Sequence, residues 1–402
     1  VRYNGFITSC AIWEERTMIT SMEIHGFKKF DELKMEGFSR INLFVGTNNV
    51  GKTTVLEAIL AFCCGKSLLP FFHMSILHRQ NRNMGSGMLA SPYGLADMIL
   101  QSFTRRNNPE GLEFSFQGKV DGVIHRIQHL FTPGEIFEEF FPQYMGGLSN
   151  PEPSVIEMQN IQMQSGKGVS IQISRQALGI WKVNVDEDGV SYPIAAPDIT
   201  EENHQRPFLL ARFNDVLSHR EERGSRRIYS QLSRENRIHD FVHELNQSFH
   251  NMEIQNIENI PYPDGSEAFI SMQMSGGDRI PLYAMGDGVR RWYDVLGGML
   301  FFRNAVHCLE EIDSGFHYEA QEQLSRNLIH YAAKYHNQLF LTTHNIEYVD
   351  ALLRAAKQQG ADCLRDSIRI ITLRHDDKGI AHRVMDGKEA LWARERGLEL
   401  RR

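Results

Sequence analysis

The sequence is poor in the features that mark secreted or membrane proteins. Five cysteines in 402 residues form no C-x-x-C pair, and Cys63 and Cys64 are adjacent; reduced thiols are expected rather than a disulfide framework. No apolar run approaches the ~18 residues a bilayer-spanning helix needs. The first twenty residues include Trp13, Glu14, Glu15 and Arg16 where a signal peptide has its apolar core. A cytoplasmic protein without membrane contact is expected, with residues 1–21 as a poorly ordered leader and Met18 or Met22 as candidate starts. No sustained heptad, internal repeat or low-complexity tract is present, which excludes a long coiled coil. Positive charge is also short. The formal net charge is −7, so any nucleic-acid contact must use a local patch.

What is present begins at Gly46-Thr-Asn-Asn-Val-Gly51-Lys52-Thr53, a full match to G-x-x-x-x-G-K-[ST]. The preceding Arg40–Val45 is β-branched and apolar and reads as a buried strand. The following Thr54–Phe62 reads as a helix with Val55, Ile59 and Phe62 on one face. In that order the glycines let backbone N–H groups, those of Asn48, Asn49, Gly51 and Thr54 among them, turn toward polyphosphate oxygens. The helix N-terminus adds a partial positive charge. Lys52 reaches the β- and γ-phosphates, and the Thr53 hydroxyl suits Mg²⁺. ATP with Mg²⁺ is the expected ligand pair.

Further along, Met22–Phe27 reads as a short edge strand. Residues 65–110 are loop-like, with one helical stretch near 95–103. Alternation over 112–117 and 120–127 predicts a hairpin turning near Gly118 or Asp121. Residues 131–165 read as irregular, and 169–174 and 179–185 as two more strands. The pattern from Asn214 to His250 is helical and ends before Pro261. A strand over 269–274, a helix from Gly286 to about Arg303, a strand over 305–309, a helix over 318–335, a strand over 338–342 and two closing strands follow. In the helix after Tyr318, Ala320, Leu324, Leu328, Tyr331 and Tyr335 form one stripe.

Three stretches of the second half carry chemistry. Ala305–Leu309 is an apolar strand ending in Glu310 and Glu311. Adjacent side chains at a strand end point in different directions, so Glu310 can face a metal and Glu311 an attacking water. Gln338–Thr343 is a second buried strand ending in His344, which is placed to hydrogen-bond a γ-phosphate or its water. Gly286-Asp287-Gly288 opens a helix, with N–H groups free for an anion and Asp287 as a candidate cap. Arg220, Arg223, Arg226 and Arg227 are interleaved with Glu221 and Glu222 and read as a solvated helix face, with a nucleic-acid or partner patch as the alternative. His239 and His243 lie one turn apart without an evident third metal ligand.

In this order the motifs resemble the ABC-type ATPase head shared by SMC proteins, RecF and the OLD family. Glu310–His317 is similar to the acidic strand end and loop of the RecF/OLD branch, and Met285–Arg291 to its signature helix. The run from Asp386 to Leu400 is similar to the tail of stand-alone ATPases of bacterial anti-phage systems of the PARIS kind. The resemblance covers roughly 22–64 and 208–350 well and 65–207 poorly. It implies an α/β head with a P-loop core sheet, an antiparallel β lobe and a helical lobe carrying the signature. The implied order is an N-terminal head part over 22–130, an inserted lobe over 131–207, a helical region over 208–283 and a C-terminal head part over 284–402.

Carried over by residue, the resemblance makes Thr53 and Glu310 the Mg²⁺ ligands, Glu311 the base and His344 the switch histidine. Gly286, Asp287 and Gly288 would act on the ATP of a second subunit, and Asp313 would lie in the loop crossing that dimer. Gln80 and Gln101 are the candidates for the glutamine between lobes. Glu310 stands where the family has Asp, and Asp287 where transporters have a small residue.

Four functions compete. The long separation of phosphate loop and signature disfavours a transporter subunit. The missing heptads disfavour a long SMC-type repair ATPase, though not a RecF-like one acting on DNA. After His344 there is no Asp-x-Asp pair in strand context, so a nuclease of its own is not expected. The favoured reading is an ATPase that assembles with itself, senses a trigger and controls a separate effector, such as a nuclease, in anti-phage defence.

Overall fold

The structure, a computed structural model, describes residues 18–64, 112–131, 209–220, 222–249, 252–262, 268–376 and 379–401, together with the backbone of three strands between 161 and 185. The helix expected near 95–103, Gln80, Gln101 and the turn expected at 186–189 lie outside them. In chain order the elements begin with β1 (Ile19–Phe27), β2 (Phe30–Glu36), β3 (Ile41–Val45), α1 (Lys52–Cys64), β4 (Leu112–Val120) and β5 (Val123–Phe131). Next come β6 (Ile161–Gln164), β7 (Val169–Arg175), β8 (Gly179–Val185), β9 (Ala211–Asn214), α2 (Glu222–Arg234) and α3 (Ile238–Ser248). Then follow β10 (Ile254–Pro261), β11 (Ala268–Met274), β12 (Arg279–Pro281), α4 (Asp287–Phe301), β13 (Val306–Leu309) and α5 (Tyr318–Lys334). The chain closes with β14 (Gln338–Thr342), α6 (Ile346–Gln359), β15 (Ile368–Asp376), β16 (Gly379–Asp386) and α7 (Gly387–Glu395). The fold is α/β, with one mixed sheet, further antiparallel sheets and helices. Among the described residues no helix is long and apolar enough to cross a membrane.

The chain divides into two compact units, one of residues 1–37 and 57–209 and one of 38–56 and 210–402. In the first, β2-β1-β4-β5 form an antiparallel sheet, and β6-β7-β8 a second. The expected hairpin is present and turns at Asp121-Gly122, where both φ angles are positive. Two expectations need correction here. The strand at Met22 starts at Ile19 and is internal, because β2 and β4 pair along its two sides. The stretch expected to be irregular contains β6, paired antiparallel with β7.

The second unit is built on the six-stranded sheet β16-β15-β3-β14-β13-β9. β15, β3, β14, β13 and β9 are parallel, and β16 alone runs antiparallel at the edge. Every residue of β3, β13 and β14 is buried, as parallel strands covered on both faces require. The one polar side chain inside β3, Asn42, is satisfied by Ser39 and by the carbonyl of Leu339. The α5 stripe holds: Ala320, Leu324, Leu328, Tyr331 and Tyr335 are all buried. Helix α1 buries Val55, Ile59 and Phe62 as expected, and burial extends to every residue from Val55 through Cys64.

The expected helical run before Pro261 ends at Ser248, and 254–261 is strand β10, antiparallel to β11. The Asn246 side chain joins helix to strand, donating to the Ile254 carbonyl at 2.7 Å and accepting its N–H at 3.1 Å. Helix α4 crosses the unit with every residue from Gly288 to Leu300 except Arg290 buried. Trp292 packs on Phe241 with ring centroids 5.0 Å apart. Gly298 lets the Arg212 guanidinium lie against the helix, since a Cβ would lie 1.3 Å from its Nη1. That guanidinium pairs with Asp294 at 2.5 Å, and Asn214 donates to the other carboxylate oxygen.

One buried titratable group sets an acid limit on this unit. Burial, with the Arg212 charge second, pushes His307 down from 6.5 to about 3. The folded protein therefore keeps His307 neutral while the unfolded chain binds a proton below about pH 6.5. The stability tied to this group is fully present above that pH and is lost as pH falls toward 3, at up to about 1.4 kcal/mol per pH unit. His307→Gln should flatten the fall in urea midpoint between pH 7.5 and 5.5 relative to wild type. Equal falls in the two proteins would assign the acid sensitivity elsewhere.

Candidate functional site

Strands β3, β14 and β13 end along one side of the sheet, where open α/β sheets bind ligands. After β3 comes the loop 46–51, after β14 His344, and after β13 Glu310 and Glu311. Gly46 has φ +148° and touches β15; a Cβ there would lie 2.4 Å from the Leu373 carbonyl oxygen. Thr47, Asn48 and Asn49 form the exposed crest, Asn49 with φ 62°. The Lys52 amine donates to the carbonyls of Gly46 and Thr47 at 2.9 and 3.1 Å. Burial pushes that amine below its ordinary value; the Glu311 carboxylate pulls it up and the Arg401 charge lowers it further.

The Thr53 hydroxyl donates to the Glu310 carboxylate. The structure thus brings together two residues 257 positions apart in sequence. A hydroxyl and a carboxylate side by side beside a phosphate loop are the hard oxygen donors Mg²⁺ takes, so these residues fit that ion. Among the described residues no group of three or more His, Cys, Asp or Glu could hold a metal, and His243 is engaged by Gln247 at 2.8 Å.

Glu311 sits in a left-handed conformation, φ 45°, which turns its side chain away from that of Glu310. Such a conformation costs about 1 kcal/mol or more and persists only where neighbours enforce it. The Thr342 hydroxyl accepts the Glu311 N–H at 2.8 Å, and the Arg291 guanidinium donates to its carbonyl at 2.9 Å. The same guanidinium donates to the Glu310 carbonyl and, at 3.3 Å, to that of Val216. The Glu311 carboxylate meets Nδ1 of His344 at 2.6 Å. A carboxylate only accepts, so Nδ1 carries the proton and Nε2 is left for a ligand. The exposed ring of His344 stands on a laced strand end: Thr343 donates to Asp313 at 2.6 Å and accepts from the Asn345 N–H, and Asn345 caps α6.

The glycine turn before α4 differs from the expectation in one respect. Gly286 occupies the cap position without a side-chain bond, and Asp287 is the first residue inside the helix. Instead of capping, Asp287 meets His219 at 3.2 Å, Arg220 at 3.4 Å and Arg290 at 3.5 Å. A carboxylate one position into a helix is already favoured by the dipole, and three basic neighbours outbid a backbone N–H. The His219 hydrogen bond above all holds the Asp287 carboxyl below its usual range. Burial pushes His219 down against that pull, so its ring is neutral near pH 7. Gly288 packs on the loop after β13, where a Cβ would lie 2.6 Å from the Gly315 carbonyl oxygen. Asp313 of that loop is buried and turned toward Thr343 within its own chain.

Sequence reasoning did not find Arg291 as the clamp on the acids, His219 and Arg220 as partners of Asp287, or Arg401 beside His344. The last donates to the His344 carbonyl at 2.9 Å. Only the Arg290-Arg291 doublet and the 220–227 basic cluster offered any signal. Of that cluster, Arg226 is occupied by the Ala268 carbonyl at 2.7 Å.

Residues 180–350 match the family described as "AAA domain, putative AbiEii toxin, Type IV TA system", and residues 18–107 match "AAA ATPase domain". An "ATP/GTP phosphatase" of Helicobacter pylori is 22% identical over 385 residues, covering 92% of this chain and 96% of that protein. The DNA replication and repair protein RecF of Pseudoalteromonas translucida is 25% identical over 130 residues, 32% of this chain and 35% of that protein. The SMC head domain of Thermotoga maritima aligns with a TM-score of 0.41 at 14% identity, covering 92% of this chain and 99% of that structure. Residues 18–107 and 180–350 are thus each similar to AAA-type ATPase domains.

Proposed function

We propose that the chain hydrolyses ATP in a site that a second copy of the chain completes. The observation that carries this reading is the Thr53–Glu310 contact, which joins the phosphate loop to the acids at the end of β13. Lys52 and the loop N–H groups bind the polyphosphate. Thr53 and Glu310 would hold Mg²⁺, which when bound neutralises charge developing on the phosphate oxygens. Glu311 takes the proton of the attacking water, and His344 fixes the orientation of that carboxylate. The exposed turn Gly286–Asp287 would meet the nucleotide of the other copy. The name of the H. pylori relative supports triphosphate hydrolysis.

Lys52→Ala should weaken ATP binding and lower turnover by roughly hundredfold or more, measured by phosphate release and nucleotide titration. Turnover within about threefold of wild type would sink the assignment of the loop.

At the next level the ATPase controls a separate effector in anti-phage defence. The similarity of the C-terminal run to defence ATPases supports this, as does the toxin–antitoxin description of the family matched over 180–350. The similarity to RecF supports the other reading, action on DNA in repair. Co-purification of the product of the neighbouring gene, released on ATP turnover, supports effector control. Turnover that rises only with DNA supports repair.

A further inference from the structure

The segment after α7 runs back to the candidate site. Leu400 is buried, and its carbonyl accepts from the Thr372 hydroxyl at 2.6 Å. Thr372 lies on β15 directly opposite Val45, the last residue before the phosphate loop. This anchor delivers Arg401 beside the site. Its Nη1 donates to the carbonyl of His344 at 2.9 Å, and its Nε and Nη2 donate to the two oxygens of Glu399 at 2.8 and 2.7 Å. The side chain is about one-third exposed, 35%. Three of its five N–H donors are used, which leaves two for a ligand.

Arg401 therefore hangs from the residue whose ring holds Glu311, on a segment pinned next to the loop that carries Lys52. A cation held beside a phosphate loop is favourable once a polyanion occupies that loop. A guanidinium fork is also the group best matched to phosphate oxygens.

We propose that Arg401 contacts the terminal phosphate of the bound nucleoside triphosphate in cis, as a further cation of the site beside Lys52, with Glu399 and the His344 carbonyl setting its position. The inference rests on the nucleotide-binding reading above and adds a residue that distinguishes triphosphate from diphosphate.

The test compares Arg401→Met and Arg401→Lys with wild type, titrating a non-hydrolysable ATP analogue and ADP separately, with melting temperature followed in parallel. Arg401→Met should weaken the triphosphate by roughly tenfold and leave ADP within about twofold, and Arg401→Lys should recover part of the loss. A role confined to docking the C-terminal segment lowers melting temperature and weakens both nucleotides alike. That result, or no change for either nucleotide, overturns the proposal. Wild-type protein that binds neither nucleotide overturns the nucleotide reading itself, and this proposal with it.

Discussion

Glu311→Gln should slow ATP hydrolysis by about 10²–10⁴-fold while ATP still binds near wild-type affinity. Glutamine keeps the size of the side chain and still accepts from Nδ1 of His344, which now lies 2.6 Å from the carboxylate. It has no charge with which to take a proton from water. Lys52 and Thr53 are untouched, so the triphosphate stays gripped. If two copies close on the nucleotide, a stalled hydrolytic step holds them closed. The variant should then elute as a dimer or larger species with ATP and Mg²⁺, and as wild type with ADP. Near-wild-type phosphate release would remove Glu311 from the role of base. Slow release without any ATP-dependent association would keep the base and remove the two-copy arrangement.

The parts of this site differ in how far the sequence discloses them, and the reason is physical. The phosphate loop is local: glycine, lysine and threonine spacing alone sets which backbone N–H groups converge. Strands β3, β13 and β14 are legible because parallel strands buried on both faces are predominantly apolar, so their polar ends stand out. Three such ends on one sheet side put loop, acids and histidine together, and the Thr53–Glu310 contact is the product. The α5 stripe is legible for the same kind of reason, a 3.6-residue period with one covered side.

The clamps are not local. Arg291 binds backbone carbonyls of Glu310 and Glu311, and a carbonyl leaves no mark in a sequence. Arg212 and Asp294 meet across 82 positions, and Arg401 and His344 across 57. Asp287 looked like a helix cap because the local pattern allowed one, and basic neighbours from before α2 claimed it. Strand β10 was hidden because Gln255-Asn-Ile-Glu-Asn259 alternates weakly, and pairing with β11 decides its conformation.

Arg291→Met should cost about 3 kcal/mol of stability and lower turnover by roughly 10- to 100-fold. The guanidinium is buried, and burial lowers its proton affinity while Asp294, Asp313, Asp215 and Glu310 oppose that shift. Methionine fills similar volume but leaves the carbonyls of Glu310, Glu311 and Val216 without this donor, and the surrounding acids without their cation. The left-handed turn at Glu311, φ 45°, then keeps the Thr342 bond to its N–H and the Ser314 N–H on its carbonyl but loses the fork that ties it to Glu310. A relaxed Glu311 swings away from His344 and from the water it must deprotonate. Arg291→Lys keeps the charge but not the fork that spans two successive carbonyls, so it should restore stability more than turnover. The link to Glu311 is read by a double-mutant cycle on single-turnover rates. Because Arg291 acts by positioning Glu311, its loss should change the rate far less when Glu311 is already glutamine. An equal rate loss in both backgrounds would show that Arg291 supports the fold and leaves the base to orient itself.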